Sequence, residues 1–178
     1  MGGRFGIFFI VGIAVFGLWW KHVPGASGRF DAMAIDADAG QIELDGVTYT
    51  AQFGEPVSHA GNVRVIYTVA HEIAPVITHE IVLTTGDYSD PEIVDVISHG
   101  PGRVRMESRT QPEGTFTMVH VIPGNAAVVA ALDGLEEGSA AVIEGRPIVG
   151  RMTSSAGGSI GLNGQGHAML LADAVHPR

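Results

Sequence analysis

The chain has 178 residues, of which 46% are hydrophobic and only 16% charged, and its mean hydropathy is positive, an apolar excess that an ordinary soluble domain does not carry. Residues 1–21 hold Arg4 and Lys21 and no acid, which leaves eight basic against nineteen acidic side chains in residues 22–178 and no lysine after Lys21; this sets nucleic acid aside as a partner, because phosphate binding needs Lys and Arg to displace counterions. The chain has no cysteine, which excludes a disulfide framework, a thiolate metal site and a Cys nucleophile, and is compatible with either side of a membrane.

The apolar excess is concentrated in residues 5–20, an uncharged run from Phe5 to Trp20. As a helix at about 1.5 Å per residue it covers about 24 Å, slightly less than a hydrocarbon core. Trp19 and Trp20 fit the interfacial aromatic belt, and Lys21 can snorkel to the headgroups. Residues 1–21 therefore read as a retained transmembrane helix lying in the lipid bilayer. A cleaved signal peptide is the competing reading, weakened by the poor cleavage site at Gly25-Ala26-Ser27. Lys and Arg are nearly balanced around the helix, and the balance places the soluble part outside the cytoplasm, in the periplasm.

Residues 22–40 are small, acidic and without apolar periodicity, and they read as a linker, so the folded unit is expected to start near Gln41 and run to Arg178. Short β-like runs follow at 41–44, 47–53, 63–69, 76–84, 103–108, 115–122, 140–149 and 167–175. Asp45-Gly46 is the strongest hairpin signal among them. Asp90-Pro91 suggests a weak helical turn, with Asp90 as cap and Pro91 in the first helical position. Asn125 can cap a short helix whose apolar positions Val128, Val129 and Leu132 lie three and four apart before Gly134 ends it. Strands, a late short helix and two final strands form the order of an OB-type barrel. The expectation is an all-β domain, a small and mostly antiparallel OB-like β-barrel.

The stretch Met118-Val-His-Val-Ile-Pro-Gly-Asn125, followed by Ala131-Leu-Asp-Gly-Leu135 and Gly138-Ser-Ala-Ala-Val-Ile-Glu-Gly145, resembles a family of uncharacterised bacterial proteins with one N-terminal membrane helix and a small extramembrane β domain. The resemblance spans about residues 66–175 and is closest over 118–145. Val104-Arg-Met and His167-Ala168 stand where that family has a Trp-rich strand and a late Cys. The resemblance implies a strand, Pro turn, short helix and return strand, and carries no activity.

Histidine is the most suggestive residue type. His71-Glu72 and His79-Glu80 are eight residues apart, but Pro75 interrupts them and neither pair has the helical spacing that places two imidazoles on one zinc ion, so both read as surface or strand-edge histidines. His120 lies between Val119 and Val121 and points opposite to them on a strand, where a bond to a backbone carbonyl near Pro123 is expected. No partner completes a triad for it. Ser154, Ser155 and Ser159 lack a nucleophile elbow. The Gly-rich residues 154–166 lack the lysine of a phosphate loop and read as a mobile hairpin loop carrying Ile160 and Leu162.

No catalytic, cofactor-binding or metal-ligating residue is therefore expected, and an enzyme is disfavoured. The expected function is a non-catalytic, membrane-anchored accessory subunit bracing the extramembrane face of a larger integral membrane complex of respiratory or photosynthetic type. Its partners are then integral membrane protein subunits, met through Phe8, Phe9, Phe16, Trp19 and Trp20 in the helix and Ile160 and Leu162 in the loop. The alternative is an anchored binding module that carries a small ligand or cofactor to a membrane partner.

Overall fold

A computed structural model describes residues 26–70, 74–98, 100–161 and 166–178. The contact residues expected in the membrane helix, together with His71 and Leu162, lie outside the described residues. No helix among the described residues is long and apolar enough to cross a membrane.

The domain is all-β, as expected. Its strands are β1 (Met33–Asp36), β2 (Gln41–Leu44), β3 (Val47–Phe53), β4 (Val57–Thr68), β5 (His79–Thr84), β6 (Val94–Ser98), β7 (Val104–Ser108), β8 (Phe116–Pro123), β9 (Ala140–Ser154), β10 (Gly158–Gly161) and β11 (His167–Pro177). Helices α1 (Ala26–Phe30) and α2 (Ala126–Asp133) complete it, with a 3-10 turn at Gly86–Ser89. The boundary expected near Gln41 moves back to Ala26: residues 26–40 form α1 and β1, Ala26 and Arg29 are buried, and β1 pairs β2. The Arg29 guanidinium donates toward the carbonyls of Pro75 and Ile77, a long-range tie that local composition does not reveal.

The hairpin at Asp45-Gly46 is present, with both residues at positive φ (52° and 76°), the backbone that a two-residue hairpin turn requires. Asn125 caps α2 by accepting from the Val128 amide at 3.0 Å, and Val128, Val129 and Leu132 are the buried face. The Asp90-Pro91 segment differs from expectation. The 3-10 turn precedes it, and after a short turn the chain enters β6, which pairs β7 antiparallel from Val94↔Ser108 to Ser98↔Val104.

The expected barrel is corrected as well. The main sheet runs β1-β2-β3-β9-β11-β8-β5-β4, with β10 on β9 and a further pairing of β9 with β4. It is not the simple small barrel expected: β4 divides its length, pairing β9 through Val57–Asn62 and β5 through Asn62–Thr68, and β1, β2, β3 and β10 extend the sheet beyond the strands so joined. The 15 residues of β9, at about 3.3 Å each, are too long for one stave of a small barrel. Its far half carries β3 and β10 away from the rest.

Three apolar clusters result. One fills the concave side of β4, β5, β8, β9 and β11 beneath α2, with Ile81, Val119, Ile143, Leu170 and Leu132 at its centre. A second lies under the β1–β3 meander and contains Ile42, Met152, Met169 and Leu171. The third, Val65, Val82 and Met118, lies on the opposite face of the sheet and is covered by Val96, Val104 and Met106 of the β6–β7 hairpin. This explains why every residue of β5 is buried: both of its faces are packed, one toward the α2 cluster and one under the hairpin.

Candidate functional site

Side chains alternate between the faces of a strand, and in β5 the residues on the hairpin side are Glu80, Val82 and Thr84. Register carries that face across the sheet. Glu80 is opposite His120 on β8, Val82 opposite Met118 and Thr84 opposite Phe116. The parallel strand β11 then brings His167 level with Met118. Three titratable side chains from three strands, distant in sequence, thus share one face.

They are joined end to end. Glu80 Oε1 is 3.0 Å from His120 Nδ1, and His120 Nε2 is 3.3 Å from His167 Nδ1. The Glu80 carboxylate also accepts from the Gly102 amide in the turn of the β6–β7 hairpin. Glu80 and His120 are 3% and 5% exposed, whereas His167 is exposed. A buried carboxylate is costly unless hydrogen-bonded and paired, and here both oxygens are engaged. Burial, and then the neighbouring His120, hold the His167 imidazole below its ordinary pKa, with Glu80 pulling the other way.

His167 opens onto a cleft of about 410 Å³ between the hairpin and the sheet, walled by Val82, Tyr88, Met106, Phe116 and Met118, with Arg103 at its side. Tyr88 and Phe116 form a tilted aromatic pair with centroids 5.5 Å apart, and Phe116 is 42% exposed. Arg103 makes no ion pair among the described residues, whereas Arg105 is paired with Glu107. No group of three or more candidate metal ligands occurs among the described residues.

Several expectations change here. His120 was expected to bond a backbone carbonyl near Pro123, with nothing to complete a triad for it; its ring instead meets Glu80 and His167. His79 is not at the surface. It is 1% exposed, within 2.9 Å of Thr78 Oγ1 and 3.4 Å of Asp133 Oδ1, and burial lowers its pKa. Ile160, expected at a loop tip, lies on β10 opposite Met152, half-buried against the second cluster. The residues missed were Glu80, His167 and the cleft wall. Parity along β5 and β8 points to Glu80 and His120, but only the register joins them.

No protein-family model matches the chain, and no curated protein matches it. Among solved structures, the chain matches a small single-stranded DNA-binding protein from Streptomyces coelicolor at 13% identity, over 69% of this chain and 91% of that one, with a TM-score of 0.31. The partner reading is corrected on this finding: charge alone does not exclude nucleic acid, and the assignment of integral membrane subunits and bilayer as the partners is withdrawn. A likeness at this level assigns no ligand to this chain.

Proposed function

We propose that the domain is a non-catalytic binding module for a small planar anion, held in the cleft under the β6–β7 hairpin. The observation that carries this reading is the cleft's composition. An exposed Phe116 beside Tyr88 offers a ring face, and Arg103, without a carboxylate partner among the described residues, stands next to it in an otherwise acidic domain. A cavity of about 410 Å³ falls within the range of small-molecule sites, which combine apolar walls with a few polar groups that fix orientation. Aromatic faces supply stacking area, and a guanidinium supplies directed donors for a carboxylate or phosphate.

The fold supports the same reading. The pairings follow the cycle β4, β5, β8, β11, β9 and back to β4, with one parallel pair, β8–β11, and α2 inserted between β8 and β9. This order supports reading the domain as OB-like, an architecture whose sheet face and connecting loops commonly bind ligands. The test is calorimetric titration of the full chain with indole-3-acetate and with its neutral counterpart indole-3-ethanol. The acid should bind more tightly than the alcohol. Arg103→Met should remove that preference, and Phe116→Ala should weaken both. Equal affinity for the two compounds, or binding unaffected by either substitution, would overturn the reading.

A further inference from the structure

We infer that His120 and His167 form a proton-operated anion latch: one proton added to the pair turns the outer nitrogen of His167 from a hydrogen-bond acceptor into a donor, so an anion enters the cleft together with that proton. The inference rests on the cleft being a ligand site, and it adds the means by which the site recognises charge.

The ring geometry comes first. The two nitrogens are 3.3 Å apart, the ring centroids 5.6 Å apart and the ring planes 16° from parallel. A centroid separation equal to the N···N distance plus two ring radii means that the rings meet nearly end-on, nitrogen facing nitrogen. Two imidazoles on one tetrahedral metal ion would also hold their nitrogens about 3.3 Å apart, but with the rings converging at an angle rather than meeting end-on. The end-on approach suits a shared proton.

Proton bookkeeping then has one solution. An ionised Glu80 can only accept, so His120 donates through Nδ1. With the pair neutral, His120 Nε2 has no proton and must accept, so His167 donates through Nδ1 and its Nε2 carries a bare lone pair. His167 lines the cleft with Nδ1 turned to His120, and Nε2 is the nitrogen left for an occupant. A lone pair repels an anion. One added proton reverses this, whichever ring carries the charge: His167 Nε2 then bears hydrogen, and the bonds to His120 and Glu80 remain satisfied.

The groups facing the pair favour the same behaviour. Glu80 from β5 stabilises one positive charge, while Arg103 from the hairpin side and the charged form of either histidine oppose a second. His59 of β4, which shares a neighbouring groove with His167, has its pKa lowered by burial. Burial and the neighbouring His120 depress the titration of His167, which favours its neutral ring in the empty cleft, so that the proton arrives with the anion.

The test uses the full chain with imidazole nitrogens labelled, read by long-range proton–nitrogen correlation NMR. In the ligand-free protein at high pH, His120 and His167 should both show the Nδ1–H tautomer. A His167 in the Nε2–H tautomer at high pH overturns the latch whatever the cleft binds. In calorimetry across buffers of differing ionisation enthalpy, indole-3-acetate should bind with uptake of one proton, and its affinity should rise about tenfold per pH unit on acidification above the pair's titration. His167→Gln should abolish the uptake and flatten the pH dependence. Expected tautomers with binding but no proton uptake overturn the latch and leave the cleft reading standing. Expected tautomers with no binding at any pH overturn the cleft reading and the coupling built on it.

Discussion

Glu80 and His120 are direct cross-strand neighbours of β5 and β8, and the carboxylate oxygen of one lies 3.0 Å from the ring nitrogen of the other at a depth where both are almost wholly covered. The second carboxylate oxygen holds the Gly102 amide, so one acid ties the hairpin turn to the sheet. Glu80→Gln keeps the shape and removes the charge. Hydrogen bonds to charged groups contribute about 1.5–3 kcal/mol, and the variant should lose about that much, seen as a lower urea midpoint with an unchanged slope. Amide exchange at Gly102 should accelerate in the same variant.

Stability should fall on mild acidification. His79, His59 and His167 all have pKa values lowered first by burial. In the unfolded chain they titrate near the ordinary imidazole value of 6.5, so below that pH the unfolded state binds more protons than the folded one. Their contribution is complete above pH 6.5 and is lost as the pH drops through the depressed folded values. Thermal unfolding followed from pH 7.5 to 5 should show a falling midpoint, with net proton uptake on unfolding. A midpoint independent of pH in that interval would contradict the desolvation of these rings.

Asn125 has two roles visible in the structure. Its Oδ1 accepts from Val128, and its Nδ2 donates to the Asp173 carbonyl of β11. Loss of an N-cap costs about 1 kcal/mol, and the second bond pins the helix end to the sheet. Asn125→Ala should therefore destabilise by about 1–2 kcal/mol, whereas Asn125→Asp should recover the cap and not the bond to Asp173. Comparing the two variants by chemical denaturation separates the contributions.

Gly145 sits where β9 is flanked by β4 on one side and by the irregular stretch of β11 on the other. A Cβ placed there would lie 2.2 Å from the Leu171 carbonyl oxygen. The obstacle is backbone and cannot swing away. Gly145→Ala should cost about 1–3 kcal/mol, the usual penalty of overpacking, whereas Gly138→Ala, whose Cβ would meet nothing nearby, isolates the cost of positive φ alone. Equal losses in the two variants would argue against the close strand approach.

The parts of this fold that were legible in the sequence are those written in local chemistry. Asp45-Gly46 demands its turn, Asn125 and the spacing of Val128, Val129 and Leu132 spell a capped helix, and alternation marks most strands. What was hidden depends on distance. Residues 26–40 look like a linker because the buried Arg29 finds its acceptors at Pro75 and Ile77, far along the chain. Val94–Ser98 follows Asp90-Pro91, which looks locally like a helix start, and becomes a strand because its partner β7 arrives after a turn. The candidate site was illegible for the same reason. His120 has the right parity, but whether Glu80 or some other residue faces it is decided by the register of β5 on β8, and the approach of His167 by a parallel pairing.

Arg64 anchors the cleft from below. It stands on β4, and its guanidinium donates to the Ser89 carbonyl at 3.3 Å and to the Val94 carbonyl at 2.9 Å, the two ends of the segment that leads into β6. The β6–β7 hairpin pairs only with itself among the described strands, so it is held over the sheet by this fork, by the Gly102 tie to Glu80 and by the contacts of Val96, Val104 and Met106. Two-stranded hairpins are at best marginal alone. Arg64→Met keeps much of the apolar stem and removes both donors, leaving two carbonyls without their partner. Amide exchange from Val94 to Ser108 should then speed up selectively, with β5 and β8 staying protected as part of the main sheet. Indole-3-acetate binding should weaken about tenfold or more, the equivalent of one charge-assisted hydrogen bond, although Arg64 does not line the cleft. A variant with a loosened hairpin and undiminished binding would show that the ligand is held by the sheet face alone.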